Sequence, residues 1–237
     1  MKSEIIMLTS LDAIKKNAKE QFIDSAADIL KHKFAYGANL FEEFSSNNSE
    51  IFSTLARMVG AAVSPTKKED IEYLVKNHTQ EILGACQEIN ESGIMSPDGL
   101  LADNGFYSAL ARGVQFIAGK EIINNQSELE DQIFIRVCEK MATELGRENL
   151  SDKKYILNLI DTTGCGWPLI LAKGEASEGL EVIMAAVEKD DWVMGFATNK
   201  ELEEIESPQG KLEFLKAKSE QRKMSAQAAI GTNKSRP

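Results

Sequence analysis

Apolar side chains recur at helical spacing along most of this chain. They mark one face of a long segment from Leu11 to Leu30, and similar faces run from Ile51 to Val63 and from Ile71 to Ile89. Because positions three and four residues apart lie on the same side of an α-helix, this spacing predicts amphipathic helices. No segment shows four or more clean alternations of apolar and polar residues between turn signals, so the pattern predicts no strand. We therefore expect an all-α protein.

Breaks in the apolar pattern divide the chain into three parts. Residues 90–105 contain one proline, three glycines and two asparagines, which is typical of a turn region. We expect an N-terminal helical bundle over residues 1–91 and a helical, repeat-like subdomain over residues 105–223. Residues 224–237 are mostly small and polar, with a net charge of +2 from Lys234 and Arg236. This composition predicts a disordered tail that folding does not require.

The densest turn signals lie near the C-terminal end, in residues 161–192. Gly164 and Gly166 predict a loop, and Pro168 then begins a short apolar helix, where a first-turn proline loses no hydrogen bond. After a second glycine-containing turn, apolar residues recur at helical spacing over residues 180–187. Because each helix is too short to bury its apolar stripe alone, we expect the two helices to pack as a pair against neighbouring helices.

The sequence WPLILA at residues 167–172 resembles the TPLHxA signature of ankyrin repeats, and residues 179–191 resemble the second helix of the same unit. Trp167 replaces the family's threonine, Ile170 replaces its histidine, and the link between the helices is about two residues longer than the consensus. Comparable segments occur at residues 154–159 and 210–215. The resemblance implies stacked short helix pairs, in a degenerate ankyrin-like or other α-array. The alternative is a set of adjacent helices in an ordinary bundle.

The charge balance of the chain limits its partners. Asp and Glu number 37 against 27 Lys and Arg, so the net charge is −10. An acidic chain of this kind repels the phosphate backbone of nucleic acid, which argues against nucleic acid as a partner. It favours a partner protein with a basic surface, or no charged partner at all.

Membrane and secretory signals are missing from the pattern. No apolar run reaches the length of a membrane span, and the apolar core of residues 1–10 is too short for a signal peptide. Cys86, Cys138 and Cys165 are odd in number and far apart, which is typical of a reducing compartment. We expect a cytoplasmic protein, or one delivered from a bacterial cytoplasm into a host cell.

Cys165 is the best candidate for a nucleophile. It lies between two glycines and close to a predicted helix N-terminus, two features that expose a thiol and lower its pKa. A cysteine enzyme also needs a base, and the histidines of the chain are His32 and His78. His78 lies on the apolar face of its predicted helix, which is more typical of a packed histidine than of a ligand. A thiol-dependent enzyme that uses Cys165, with His78 as its candidate base, is therefore one alternative function.

Metal and cofactor motifs are absent from the sequence. It contains no C-x-x-C, no H-E-x-x-H and no phosphate-binding G-x-x-x-x-G-K-[ST]. The acidic pairs Asp190-Asp191 and Glu203-Glu204 lack the spacing of a calcium loop. We predict neither a metal nor another cofactor.

Two tryptophans and an acidic pair suggest a binding surface instead. An exposed tryptophan anchors a protein contact well, and acidic side chains steer a basic partner. We hypothesise that residues 161–223 form a stacked helical unit whose turns bind a partner protein, with Trp167, Asp190, Asp191 and Trp192 as the binding residues. Such a protein would be an adaptor, an inhibitor or a secreted bacterial effector. A self-associating structural or regulatory helical protein is the remaining alternative.

Overall fold

The computed structural model describes residues 10–45, 49–92 and 105–233, and within these ranges the chain is helical and has no β-strand. The predicted all-α helical array is therefore confirmed. The α-helices of these ranges are α1 (Leu11–Ala35), α2 (Leu40–Ser45), α3 (Ser49–Val63), α4 (Lys68–Glu91), α5 (Gly105–Asn124), α6 (Gln126–Leu145), α7 (Lys153–Thr163), α8 (Pro168–Leu171), α9 (Glu175–Glu178), α10 (Leu180–Val187), α11 (Lys200–Glu203) and α12 (Pro208–Asn233). Arg147–Ser151 and Asp191–Phe196 are 3₁₀ helices.

Contacts between residues divide the chain into two units, each of which is discontinuous in sequence. The described residues of Met1–Ile29 and Phe41–Arg136 form unit 1, and those of Leu30–Leu40 and Val137–Pro237 form unit 2. The structure thus divides the chain differently from the sequence, which predicts a boundary between residues 91 and 105. Most of that predicted boundary, residues 93–104, lies outside the described residues. The difference arises because α5 packs back onto the helices that precede the loop.

The core of unit 1 is built around α5, which lies between α3 and α4. Ser64 Oγ, directly after α3, donates a 3.0 Å hydrogen bond to the carbonyl of Ala111, and Gly60 lies against Gln115 and Gly119, so α3 runs antiparallel to α5. Tyr107 in α5 bonds Glu72 at 2.8 Å, and Lys120 pairs with Glu88, so α4 runs parallel to α5. The buried apolar side chains of this core include Leu11, Ile14, Phe22, Val59, Leu74, Ile82, Val114, Ile122 and Ile133.

Helix α4 is kinked at His78, whose backbone angles (φ −133°, ψ 34°) are not helical. The side chain of His78 is partly exposed, and its Nδ1 lies 3.1 Å from Glu81 Oε2 in the next turn of the helix. The face that the sequence predicts for this helix is therefore only partly buried: Leu74 and Ile82 are in the core, whereas Leu83 is exposed. A kink rotates the apolar stripe after it relative to the stripe before it, which a straight-helix pattern does not take into account.

Between α6 and the long helix α12, unit 2 is built from short helices, two of which begin at a side-chain cap. Asp152 caps α7 by accepting from the backbone N–H of Lys154 at 2.8 Å. Gly164 ends the same helix in the left-handed conformation (φ 69°), as the glycine-rich loop predicts. Asn199 caps α11 and also donates a 2.6 Å hydrogen bond to the carbonyl of Glu178, which ties α11 to α9. The buried side chains of this unit include Phe34, Leu150, Ile156, Ile160, Trp167, Leu169, Val182, Ile183, Val193, Leu202 and Leu215.

The last helix is longer than the sequence predicts. Helix α12 continues to Asn233, so residues 224–233 are helical where the composition predicts a disordered tail. The reason lies in helix propensity: this segment contains three alanines and reaches its first glycine only at Gly231. Residues 234–237 lie outside the described residues.

Candidate functional site

The turn after α1 meets the loop that contains Cys165. Gly37 adopts φ +84°, and a Cβ atom placed on it would lie 2.9 Å from Cys165 Sγ. A side chain at position 37 would therefore be strained by its backbone angle and would press on the sulfur atom. The thiol itself donates a 3.4 Å hydrogen bond to the carbonyl of Thr163. The side chain of Cys165 is thus packed between the turn at Gly37 and the loop to which Cys165 itself belongs.

Asp190 joins this loop to the end of α10. Its carboxylate accepts a hydrogen bond from the backbone N–H of Gly166, and it is partly buried. Gly166 also needs to be glycine, because a Cβ atom there would overlap the carbonyl oxygen of Ala186. Charge-assisted hydrogen bonds of this type are among the stronger ones in proteins. Asp190 therefore has a structural role in the loop, in addition to any contribution to the charge of the surface.

Trp167 belongs to the core of unit 2. Its side chain is 2% exposed, its Nε1 donates a 3.2 Å hydrogen bond to the carbonyl of Ala35, and its ring centroid lies 5.6 Å from that of Phe34. The sequence hypothesis that Trp167 is a partner-binding residue requires an exposed indole. The structure instead uses this side chain to pack the end of α1 against α8.

The environment of Cys165 does not match that of an activated nucleophile. Burial raises the pKa of the thiol, and the nearby carboxylate of Asp190 raises it further, while Lys189 opposes this shift. The lowered pKa that the loop position predicts is therefore wrong, because burial of the thiol and the carboxylate beside it both disfavour the thiolate. His78, the predicted candidate base, belongs to unit 1, where its imidazole faces Glu81, whereas Cys165 belongs to unit 2.

Asp191 and Trp192 line a groove between the α10 region and α12. We call it the acidic groove. Its main part has a volume of about 510 Å³, and a continuation of about 290 Å³ shares Asp191 and Leu212 with it. Met184, Val187, Glu188, Leu215, Lys216 and Glu220 complete the main part, and Trp192, Met194, Pro208 and Gln209 line the continuation.

The acidic groove combines an apolar floor with a negative rim. Val187 and Leu215 are buried, whereas Glu188, Asp191 and Glu220 are exposed. Lys216 is the one basic side chain among these lining residues, so the three carboxylates leave a local charge of −2. The structure therefore brings Asp191 and Trp192 together at one site, while Asp190 and Trp167 face the interior of the unit.

Trp192 has an unusual position at this groove. Its ring lies 6.5 Å from Phe34 and 6.1 Å from Phe196 between centroids, so most of the indole is packed. Its Nε1 is buried and has no hydrogen-bond partner among the described residues. A buried donor without an acceptor typically costs about 1–3 kcal/mol, so such groups are uncommon in native folds.

The lining residues from α12 are absent from the sequence hypothesis. Leu212, Leu215 and Lys216 lie more than 20 residues after Asp191, and the sequence indicates only that residues 210–215 form another helix. Helical periodicity shows which face of α12 is apolar, but it does not show that this face packs against α10. The sequence therefore predicts the apolar faces of α10 and α12, but it does not predict that they form a groove together.

Comparisons with known proteins assign this chain to no family. The chain matches no protein-family model, no curated protein and no solved structure. The resemblance of residues 167–191 to an ankyrin repeat therefore stays a prediction. Within the described residues, no group of three or more His, Cys, Asp or Glu side chains could hold a metal ion. No helix in the described part of the chain combines the length and the apolar character needed to cross a bilayer.

Proposed function

We propose that this protein is an interaction module that binds a partner protein through the acidic groove. The groove offers apolar side chains on its floor and carboxylates on its rim. A basic amphipathic helix complements both features, because its apolar face would cover Leu212 and Met184 while its Lys and Arg side chains reach Glu188 and Asp191. An adaptor, an inhibitor or a secreted effector would each use such a surface.

The unpartnered N–H of Trp192 is the observation that carries this proposal. The ring lines the continuation of the groove, and its Nε1 lacks an acceptor in the described part of the chain. A carbonyl or carboxylate oxygen of a bound partner would supply the missing acceptor if binding turned the ring so that its N–H faced the groove. Tryptophan side chains are frequent energetic centres of protein interfaces.

The electrostatic part of the proposal rests on Asp191 and Glu188 rather than on Asp190. Asp191 is exposed and makes no ion pair with the other described residues, whereas Asp190 holds the Gly166 loop. Exposed rim charges act mainly on the association rate, and salt weakens their effect. Charge reversal at Asp190 would disturb the fold as well, so it cannot serve as a clean test of binding.

The experiment compares protein capture by three forms of the chain from one cell extract, with quantitative mass spectrometry as the readout. The test variant is Asp191→Lys with Glu188→Lys. The matched control is Glu203→Lys with Glu204→Lys, which makes the same charge change at exposed positions outside the groove. We expect that the wild type and the control capture at least one protein in a direct complex. The test variant should fail to capture that protein. Identical capture by all three forms, or equal loss in both variants, would contradict the proposal.

The emission of Trp192 gives a second readout once a partner is purified. A partner that fills the groove should shield Trp192 from acrylamide, whereas Trp167 is already buried. A Trp167→Phe chain isolates the Trp192 signal. If the purified partner leaves acrylamide quenching of Trp192 unchanged, the contact lies elsewhere on the protein.

The thiol-enzyme alternative has less support. A thiol whose pKa is raised by burial and by Asp190 is a poor nucleophile near neutral pH. Rapid labelling of Cys165 at neutral pH by a thiol-reactive probe, with Cys165→Ala as the control, would favour that alternative.

A further inference from the structure

We propose that a second groove, in unit 1, binds an acidic amphipathic helix of a partner protein. This basic groove runs over α5 and has a volume of about 440 Å³. Phe116, Gly119 and Ile123 of α5 lie along it, Ile89 of α4 adds a further apolar wall, and Arg57, Arg112 and Lys120 supply its charges. The inference goes beyond the proposed function, because it concerns another surface and a partner of the opposite charge.

A glycine crossing creates the depression. A Cβ atom on Gly60 would lie 2.9 Å from the carbonyl oxygen of Gln115 and 3.3 Å from the backbone nitrogen of Gly119, so α3 and α5 approach each other closely there. Gly119 also lines the groove. Because glycine has no side chain, the surface of α5 is recessed between Phe116 and Ile123. The lining residues of α5 run from position 112 to position 123, which corresponds to a length of about 16 Å.

The positive charge of this groove stands out in a chain whose net charge is −10. Lys120 is already paired with Glu88, and its ammonium lies 5.6 Å from the centre of the Phe116 ring. Arg112 makes no ion pair in the described part of the chain. Among the residues that the structure describes, Arg57 bonds only within its own helix, to the carbonyl of Ser53 at 3.4 Å and to Thr54 at 3.3 Å. Two exposed guanidinium groups therefore flank an apolar floor without a carboxylate partner.

These features select an acidic amphipathic helix as the occupant. Guanidinium groups bind carboxylates through paired hydrogen bonds, so Asp or Glu side chains on the flanks of the helix would match Arg57 and Arg112. The apolar face of the helix would cover Phe116, Ile89 and Ile123. Nucleic acid fits poorly, because the groove offers an apolar floor to a polyphosphate and the whole chain repels it.

The probe is a fluorescein-labelled, hydrocarbon-stapled peptide of about 14 residues, which spans roughly 21 Å as a helix. Leu residues occupy one stripe, and Glu residues flank it. The control peptide keeps the Leu stripe and carries Lys in place of Glu. Fluorescence anisotropy is measured with the full chain, with Arg57→Glu/Arg112→Glu, and with the matched control Lys16→Glu/Lys76→Glu. The control changes exposed lysines of the same unit that do not line the groove.

We expect the acidic peptide to bind, and we expect the groove variant to weaken binding about tenfold or more. The lysine control should stay within about twofold, which is the usual independence of distant sites. Arg57→Gln/Arg112→Gln removes the charge with less disturbance and should weaken binding in the same direction. Added salt should weaken the wild-type complex, a readout that needs no substitution.

Several outcomes would overturn the proposal. They are no binding of the acidic peptide, equal binding of the basic peptide in this groove, or equal losses in the arginine and lysine variants. Displacement of the peptide by dodecanoate at low concentration would assign the groove to small anionic amphiphiles instead. None of these outcomes bears on the acidic groove, because the experiment changes residues of unit 1 only.

Discussion

Cys165 illustrates how a residue with a reactive group can serve packing. Its sulfur atom fills the space beside Gly37, and its thiol donates a hydrogen bond to the carbonyl of Thr163. The carboxylate of Asp190 lies close enough to raise the pKa of the thiol. The same carboxylate accepts a hydrogen bond from the Gly166 N–H. One group therefore both stabilises the loop conformation and disfavours the charged thiolate form of Cys165.

Gly37→Ala should lower the free energy of unfolding through two separable terms. The left-handed backbone angle costs a non-glycine residue about 1–2 kcal/mol, and the new Cβ atom would press on Cys165 Sγ. Gly164→Ala is the matched control, because it has φ +69° but open space around its Cβ position. In a Cys165→Ala background, Gly37→Ala should cost less than in the wild type. Strictly additive effects in urea unfolding would show that the sulfur contact is unimportant.

Cys138 should make stability depend on alkaline pH. Burial raises the pKa of its thiol from 9.0 to about 12. The unfolded chain therefore loses this proton at a lower pH than the folded chain, and the stabilising contribution is lost as the pH rises from 9 towards 12. The slope for one proton is at most about 1.4 kcal/mol per pH unit.

Urea unfolding of the wild type and of Cys138→Ala over this alkaline range tests the expectation. The stability difference between the two proteins should shrink as the pH rises, because the wild type alone has this titrating thiol. A difference that stays constant with pH would mean that Cys138 ionises equally easily in both states.

The role of a residue could be predicted from the sequence where the residues that it contacts are close to it along the chain. Gly164 ends its helix as the loop composition predicts. The bond from Gly166 to Asp190 spans 24 residues, and the bond from Trp167 to Ala35 spans 132. A sequence pattern marks Asp190 as acidic and Trp167 as apolar. It does not distinguish a partly buried structural carboxylate from an exposed one, since that difference depends on which turn lies opposite.

Among the elements, the three-helix arrangement of unit 1 depends on glycines that allow close approach. Gly60 brings α3 onto α5, and Gly113 brings α5 onto α4, where a Cβ atom would lie 3.2 Å from the carbonyl of Ile82. Alanine is the better helix former at such positions in isolation. Glycine at both crossings therefore points to packing rather than to helix propensity as the reason.

Gly60→Ala should destabilise the protein by about 1–3 kcal/mol, because the Cβ atom would meet the backbone carbonyl of Gln115 and force the helices apart. Gly84→Ala in α4 is its matched control, since no described residue beyond the adjoining backbone of α4 comes within 4 Å of the added Cβ position. The control should gain about 0.4–1 kcal/mol from the reduced entropy of the unfolded chain. Thermal unfolding followed by circular dichroism measures both. Equal effects of the two substitutions would exclude a tight crossing at Gly60.

Element types were predictable, but faces and ends were less so. The stripe from Leu11 to Ala26 is buried as the periodicity predicts, whereas Ile29 at its far end is exposed. Over a helix as long as α1, the buried side shifts to Ile23, Ala27 and Phe34 as the neighbouring elements change. Residues 224–233 extend α12 because a weakly apolar segment can still have a high helix propensity.

For the whole molecule, the decisive property is that both units are discontinuous in sequence. Residues 30–40 belong with residues 137–237, although more than 90 residues separate them along the chain. The loop composition at residues 90–105 predicts a break, and no local signal indicates that α5 returns to α3 and α4. The domain arrangement therefore depends on long-range packing, which one sequence does not reveal.

A fragment of residues 105–237 should fail to form the native core of unit 2. It lacks Phe34 and the Ala35 carbonyl that accepts the Trp167 N–H. Tryptophan emission should shift to longer wavelength, and acrylamide should quench it more strongly than in the full chain. Co-expression of residues 1–92 is the control that should restore the native emission. A fragment with native emission on its own would mean that residues 30–40 are dispensable for this core.

The distance along the chain between Phe34 and its aromatic neighbours has a consequence during synthesis. The ribosome finishes residues 30–40 long before it reaches Trp167, which lies 132 residues after Ala35. At usual bacterial and eukaryotic rates of about 5–20 residues per second, the interval is roughly 7–26 s. For that time Phe34, which is fully buried in the finished protein, lacks the rings of Trp167 and Trp192 that pack against it. We therefore expect the nascent chain to bind chaperones that recognise exposed aromatic segments, and we expect its release to follow the emergence of Trp192.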